Sequence, residues 1–273
     1  MRRLSATLLM AALGCAEAPE SPSGPPLTAD QEAAQSRFLT DSGREAAEAY
    51  RSAFAGITTL DDFSDVLDQA LALQARLVPD DSLDEYGQFA YRFQAADLGL
   101  PGIEPSCVAE CTVVAMQLHR EDIEAAAAGT ESSEDDAFAG LLFDFWGFAV
   151  VVDGEVGQWP SFFERTWDYG GYSLLGNGEH LSLLRRIISM EATGFRPEEV
   201  ARMRQVLIGD IIGYPCFGPE ADAVVGELED ILALEALTEG ERTSLERRLS
   251  EVGTGSGVEV GCAADLSCSC ASG

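Results

Sequence analysis

The sequence predicts an all-α fold: an irregular, disulfide-stabilised bundle of about eight or nine helices, with one small β-hairpin near 150–159. Three observations carry this. Hydroxyl-led capping signals recur along the chain, apolar residues repeat at helical spacing, and an even set of six cysteines follows Cys15. The 273 residues fit one domain or two small ones at roughly 100–200 residues each, and 46% hydrophobic residues can build a core. The formal charge is −30, which excludes phosphate-backbone binding and hence a nucleic-acid partner. All 17 basic residues are Arg, so Schiff-base and P-loop chemistry, which need Lys, are excluded too.

The first residues read as an address. Arg2 and Arg3 precede the uncharged run Leu4–Leu13, which has the form of an export signal and is too short for a spanning helix. The run ends at Gly14-Cys15, a small residue followed by Cys, which resembles the lipobox of bacterial lipoproteins. The resemblance implies that residues 1–14 are removed and that Cys15 is lipidated. It also implies that Ala16, standing where an Asp would retain the protein at the inner membrane, directs the chain to the outer membrane. A plain secretory signal cleaved near Ala16 or Ala18 is the alternative. The membrane is then reached through lipid, because so acidic a chain is not drawn to anionic headgroups. Residues 16–27 contain four Pro with Ser and Gly, a composition for an extended tether. Its twelve residues would reach roughly 35–40 Å at about 3.1 Å each.

The helical domain is expected over 28–252. Thr28…Gln31, Thr59…Asp62, Ser82…Glu85, Ser133…Asp136 and Thr238…Glu241 have capping-box spacing or its Asp variant. Pro197 and Pro219, each followed by Glu, suit the first helical position. Acidic first turns such as Asp61-Asp62 complement the helix dipole and account for much of the charge. Phe63, Val66, Leu67, Ala70 and Leu71 form one apolar stripe, and Val200, Met203, Leu207 and Ile211 another. A shorter one runs through Tyr86, Phe89, Ala90 and Phe93. Helices are expected near 29–54, 60–78, 83–97, 106–128, 134–150, 179–192, 197–212, 219–236 and 239–252. Val150–Val152 before Asp153-Gly154 supplies the hairpin signal, since Asp-Gly favours a type I′ turn.

Residues 253–273 read as a Gly/Ser linker and a Cys-rich tail. In an exported chain Cys107, Cys111, Cys216, Cys262, Cys268 and Cys270 are expected to form disulfides. On one helix Cys107 and Cys111 would lie about 6 Å apart, and a bridge between them would constrain one turn only. Each is therefore expected to reach a tail cysteine, with Cys216 taking the remaining one. The alternative use of Cys268-Ser269-Cys270 is thiol redox chemistry or a soft metal.

HExxH, GxSxG, GxGxxG and paired CxxC motifs are absent, as is a calcium loop, and no cofactor or metal is expected. His119 and His180 are the only histidines; a Cys–His nucleophile pair is formally possible, for example Cys216 with His180, and a satisfied core or surface histidine is the expected role. Glu191-Ala-Thr-Gly-Phe-Arg-Pro197 resembles the catalytic E-S-G-F-x-P stretch of lytic transglycosylases, with one more residue before Gly-Phe. The resemblance implies a peptidoglycan-active hydrolase with Glu191 as general acid, an alternative to a non-catalytic role. The most unusual segment is Trp159–Tyr172, in which six of fourteen residues are aromatic against 8% overall. Trp159, Phe162, Phe163, Trp167, Tyr169 and Tyr172, with Arg165 and Asp168, are the candidate surface for a protein or glycan partner. The alternative is that this loop fills the core.

Overall fold

The computed structural model describes residues 41–77, 88, 91–92, 95–108, 113–152, 155–165 and 171–262. The architecture is mostly helical, as expected. The described helices are α1 (Asp41–Ala55), α2 (Leu60–Arg76), α3 (Arg120–Ala127), α4 (Ser133–Phe145), α5 (Glu179–Thr193), α6 (Pro197–Gly213), α7 (Ala221–Leu232) and α8 (Glu239–Thr254). Gln88, Tyr91-Arg92 and 95–97 are also helical, within the helix expected at 83–97. The tether, the stripe Tyr86–Phe93 and the caps at Thr28 and Ser82 lie outside the described residues. Among the described residues no helix is long and apolar enough to cross a membrane.

The start signals act as read at three points. Thr59 and Thr238 form complete capping boxes with Asp62 and Glu241, and Pro197 opens α6. Two differ. Ser132 rather than Ser133 caps α4, its Oγ accepting from the Glu134 amide. α7 starts at Ala221, two residues after Pro219. Both predicted stripes enter one continuous core, with Phe63, Leu67, Val200, Met203, Leu207 and Ile211 buried. Chain neighbours α1 and α2, α3 and α4, α5 and α6, and α7 and α8 pack together, while α2 against α4 and α6 against α8 join these pairs.

Two expected helices are corrected. The span 106–128 is instead strand β1 (Ile103–Val108) paired antiparallel with β2 (Val113–Leu118), followed by α3. Met116 and Leu118 are buried either side of half-buried Gln117, a period of two rather than 3.6. The span 134–150 is helical only to Phe145 and continues as β3 (Trp146–Val152), paired with β4 (Glu155–Pro160). β-branched Val150–Val152 favour the strand. The end of α4 is fixed by Ser161, whose amide donates to Phe145 O (2.9 Å) and whose hydroxyl donates to Asp144 O (2.5 Å). The ladder closes on Val152↔Glu155, the register of the predicted two-residue hairpin. A third antiparallel pair joins β5 (Phe163–Arg165) and β6 (Gly171–Ser173).

Buried charges tie the helices together. Arg196, left-handed at φ 45°, holds Ser64 O (3.1 Å), Asp68 (2.5 Å) and Glu199 (2.5 Å), and its guanidinium lies over the Phe138 ring. These contacts offset the roughly 1–2 kcal/mol that a non-Gly residue loses in that region. Glu227 on α7 accepts from the backbone at the start of α5, and Arg248 on α8 donates to Ile211 O (2.9 Å) and to Ile212 O at the end of α6. Each supplies a distant charge to a helix end with unsatisfied backbone groups.

Candidate functional site

The aromatic segment divides between core and surface. Phe162 is 1% exposed, between the rings of Phe145 (5.2 Å) and His180 (4.8 Å). It is a core residue, which corrects its assignment to a contact surface. Trp159 and Phe163 are half-buried and meet edge to face at 5.3 Å, and Phe163 meets half-buried Tyr214 in the same way at 4.7 Å. Tyr214 Oη donates to Gly171 O (3.1 Å), fastening the ladder to β6. Gly171 permits this packing, since a Cβ there would lie 2.4 Å from both Glu164 O and the Phe163 ring. Tyr172 is half-buried, and its hydroxyl is pushed above the usual tyrosine value by burial and by Glu164 and Cys262. Arg165 pairs through its backbone with Gly171, while its side chain and Trp167, Asp168 and Tyr169 lie outside the described residues.

Beneath the ladder lies a polar cluster. Ser173 Oγ donates to Asp210 Oδ2 (2.5 Å), and His180 Nε2 faces the same oxygen at 2.9 Å. Ser173 Oγ and His180 Nε2 are 3.4 Å apart. The residue types are those of a catalytic triad, but the wiring is not. A triad histidine bridges serine and carboxylate through different ring nitrogens, whereas here one nitrogen faces both and Nδ1 has no partner among the described residues. Ser173 and His180 are both 0% exposed, so a substrate does not reach the hydroxyl. The cluster joins β6, α5 and α6, and the partners of His180 are these groups rather than Cys216.

Cys216 and the tail meet beside this cluster. Ser173 pairs with Phe217 and Cys216 with Glu259 in parallel bridges. Glu259 N donates to Pro215 O (2.8 Å) and Cys262 N to Phe217 O (3.1 Å), so the start of the tail folds back onto the body. Cys216 Sγ lies 3.0 Å from Cys262 Sγ, a contact longer than the roughly 2.05 Å of a disulfide. With a Glu259 oxygen, the two sulfurs lie within 4.8 Å of one another, the one grouping among the described residues with the donor types and spacing to hold a metal ion. Cys107 sits on β1 opposite Val114, not on a helix, while Cys15, Cys111, Cys268 and Cys270 lie outside the described residues.

Glu191 ends in an ion network. Arg204 Nη1 contacts its carboxylate at 2.6 Å, and the same guanidinium donates to Glu241 from Nε (2.8 Å) and Nη2 (2.8 Å). The Thr193-Gly194 stretch after it is a helix stop, with Gly194 at φ 75°.

Sequence reading missed Tyr214. It lies 42 positions after Tyr172, and no local pattern joins it to the aromatic stretch; the β6–Phe217 pairing brings it there. No protein-family model, curated protein or solved structure matches this chain.

Proposed function

We propose that this is an exported bacterial envelope protein, lipid-anchored at Cys15 to the outer membrane, that binds a partner through Trp159, Phe163, Tyr172 and Tyr214. The half-buried aromatic ladder is the observation that supports a contact surface. Its rings are held in fixed geometry by one another and by the Tyr214–Gly171 hydrogen bond, so little side-chain entropy is lost on contact. Rings that meet edge to face do not form the flat open platform on which a sugar stacks, which favours a protein surface as the partner. A glycan strand is the alternative partner. Arg2-Arg3, the apolar run and Gly14-Cys15 support the address, and the cysteines of an exported chain are expected to be oxidised.

A photo-crosslinker at exposed Glu164 tests the surface in cells. A discrete adduct is expected, sensitive to protease in its added mass and lost in Trp159→Ser/Phe163→Ser, while that variant still unfolds cooperatively above the crosslinking temperature, with a midpoint lowered by the lost packing. An adduct sensitive only to glycosidases identifies the glycan, and absence of any adduct overturns the contact reading. For the address, Cys15→Ser is expected to move the protein from the membrane pellet to the soluble fraction. Equal partition of both forms overturns the anchor.

A further inference from the structure

A concave site lies beside the first two hairpins. A cleft of about 350 Å³ opens between β1–β2, the start of α3 and the junction of α4 with β3. That volume falls in the range of small-ligand pockets. Phe143 and Trp146 form its aromatic wall, and Gln74, Glu104, Gln117, His119, Arg120 and Glu121 its polar one, with His119 Nδ1 held by Asp122 at 3.1 Å. Both rings are half-buried.

The charge of the cleft follows from its pairings. Arg120 is committed: Nε contacts Glu124 (2.8 Å) and Nη2 contacts Asp144 (2.8 Å), with Arg186 holding the other Asp144 oxygen at 2.7 Å. Burial raises the Asp144 carboxyl, but hydrogen bonds from Arg186 and Arg120 outweigh it and hold the group below the usual carboxylate range, so it stays charged beside Arg120. Glu104 Oε1 accepts from Gln117 Nε2 (2.6 Å), and among the described residues neither Glu104 nor Glu121 pairs with an arginine. The α3 terminus cannot recruit an anion, since Glu121 and Asp122 already occupy its first turn. The rings already receive cations on one side each, Arg120 over Phe143 at 5.8 Å and Arg202 over Trp146 at 5.7 Å.

We infer that this cleft binds an organic amine cation. Its ammonium is met by the carboxylates of Glu104 and Glu121, and its carbon chain lies against Phe143 and Trp146. Carboxylate acceptors favour an N–H-bearing amine over a quaternary one, which has no hydrogen to donate. This site is separate from the proposed partner surface and does not depend on it.

Calorimetric titration of the whole protein with spermidine at 0.15 M salt tests the assignment, because that ionic strength screens attraction to the overall charge. Saturable one-to-one binding is expected. Trp146→Leu should weaken it about tenfold, and Glu104→Gln/Glu121→Gln by at least as much. Glu229→Gln/Glu246→Gln, which removes two exposed charges from α7 and α8, should change it less than about twofold. If Trp146→Leu does not fold, the two carboxylate pairs decide alone. Non-saturating uptake, equal weakening by both carboxylate pairs, or tighter binding of inorganic phosphate than of spermidine overturns the proposal.

Discussion

Glu227→Ala is expected to be among the most damaging single substitutions on the α7–α8 half of the protein. The side chain is 6% exposed. Its carboxylate accepts from Gly176 N (2.5 Å), Gly178 N (3.0 Å) and Leu181 N (2.8 Å), the first turn of α5 and the loop leading into it. Gly178 caps that helix and has no side chain with which to do so, so the acceptor comes from α7 instead. Hydrogen bonds to a charged group contribute roughly 1.5–3 kcal/mol each. Gly178 is exposed and recovers water when the carboxylate is lost, whereas Leu181 is buried and leaves a donor unsatisfied. The net cost of the alanine is therefore about 3–4 kcal/mol. Glu227→Gln keeps one acceptor oxygen but turns an NH₂ toward an N–H, so about 2–3 kcal/mol is still lost. Urea unfolding followed by far-ultraviolet circular dichroism measures both, with exposed Glu229→Ala on the same helix expected within roughly 0.5 kcal/mol of the parent. A loss below about 1 kcal/mol for the alanine, or a glutamine variant as stable as the parent, would refute this account.

Phe162→Ala should cost about 3–5 kcal/mol, as a large buried side chain does, and Phe163→Ala roughly 1–2; thermal melts showing the reverse order would exchange their roles. Gly176→Ala should cost about 2–3 kcal/mol, because φ is +110° and the new Cβ would lie 2.9 Å from Pro219 Cβ and 3.0 Å from Val224 N. The Glu241 carboxyl is pushed down to about 2 from its ordinary 4.5, first by the Arg204 hydrogen bond and then, against burial, by Thr238. Its folded value is depressed, so the stabilisation is fully present above pH 4.5 and disappears as pH falls through about 2. That contribution is about 1–2 kcal/mol after solvent screening, and Arg204→Gln should flatten the stability profile across this window; an unchanged profile would refute the coupling.

Helix boundaries were legible where the signal is local. Thr59, Thr238 and Pro197 act at the positions their spacing indicates, because a cap is satisfied within four residues of its own backbone. The stripe Val200–Ile211 was legible because one helix face is a fixed set of residues. The spans 106–128 and 134–150 were right only in part: the second is helical to Phe145, after which aromatic and β-branched residues favour strand, and the first failed for want of any local signal. Ala, Met and Leu suit either a helix or a half-buried strand, and the choice at Met116 and Leu118 was made by pairing with β1 and burial against α2. The candidate surface failed in part for a similar reason. Phe162 and Phe163 are adjacent and chemically identical, yet one is buried against His180 and the other is half-buried against Tyr214.

By itself, the sequence determined the helical class, the caps and the strongly acidic surface, since these depend on neighbours within a turn or two and on composition. Only the tertiary structure decided which aromatics stay at the surface, that Ser173, His180 and Asp210 share one buried oxygen, and that Arg120 is neutralised beside an acidic, aromatic cleft. Those outcomes join residues up to 37 positions apart in the buried cluster. Contacts at that range are selected by packing and by the satisfaction of buried polar groups, neither of which is written in any local pattern.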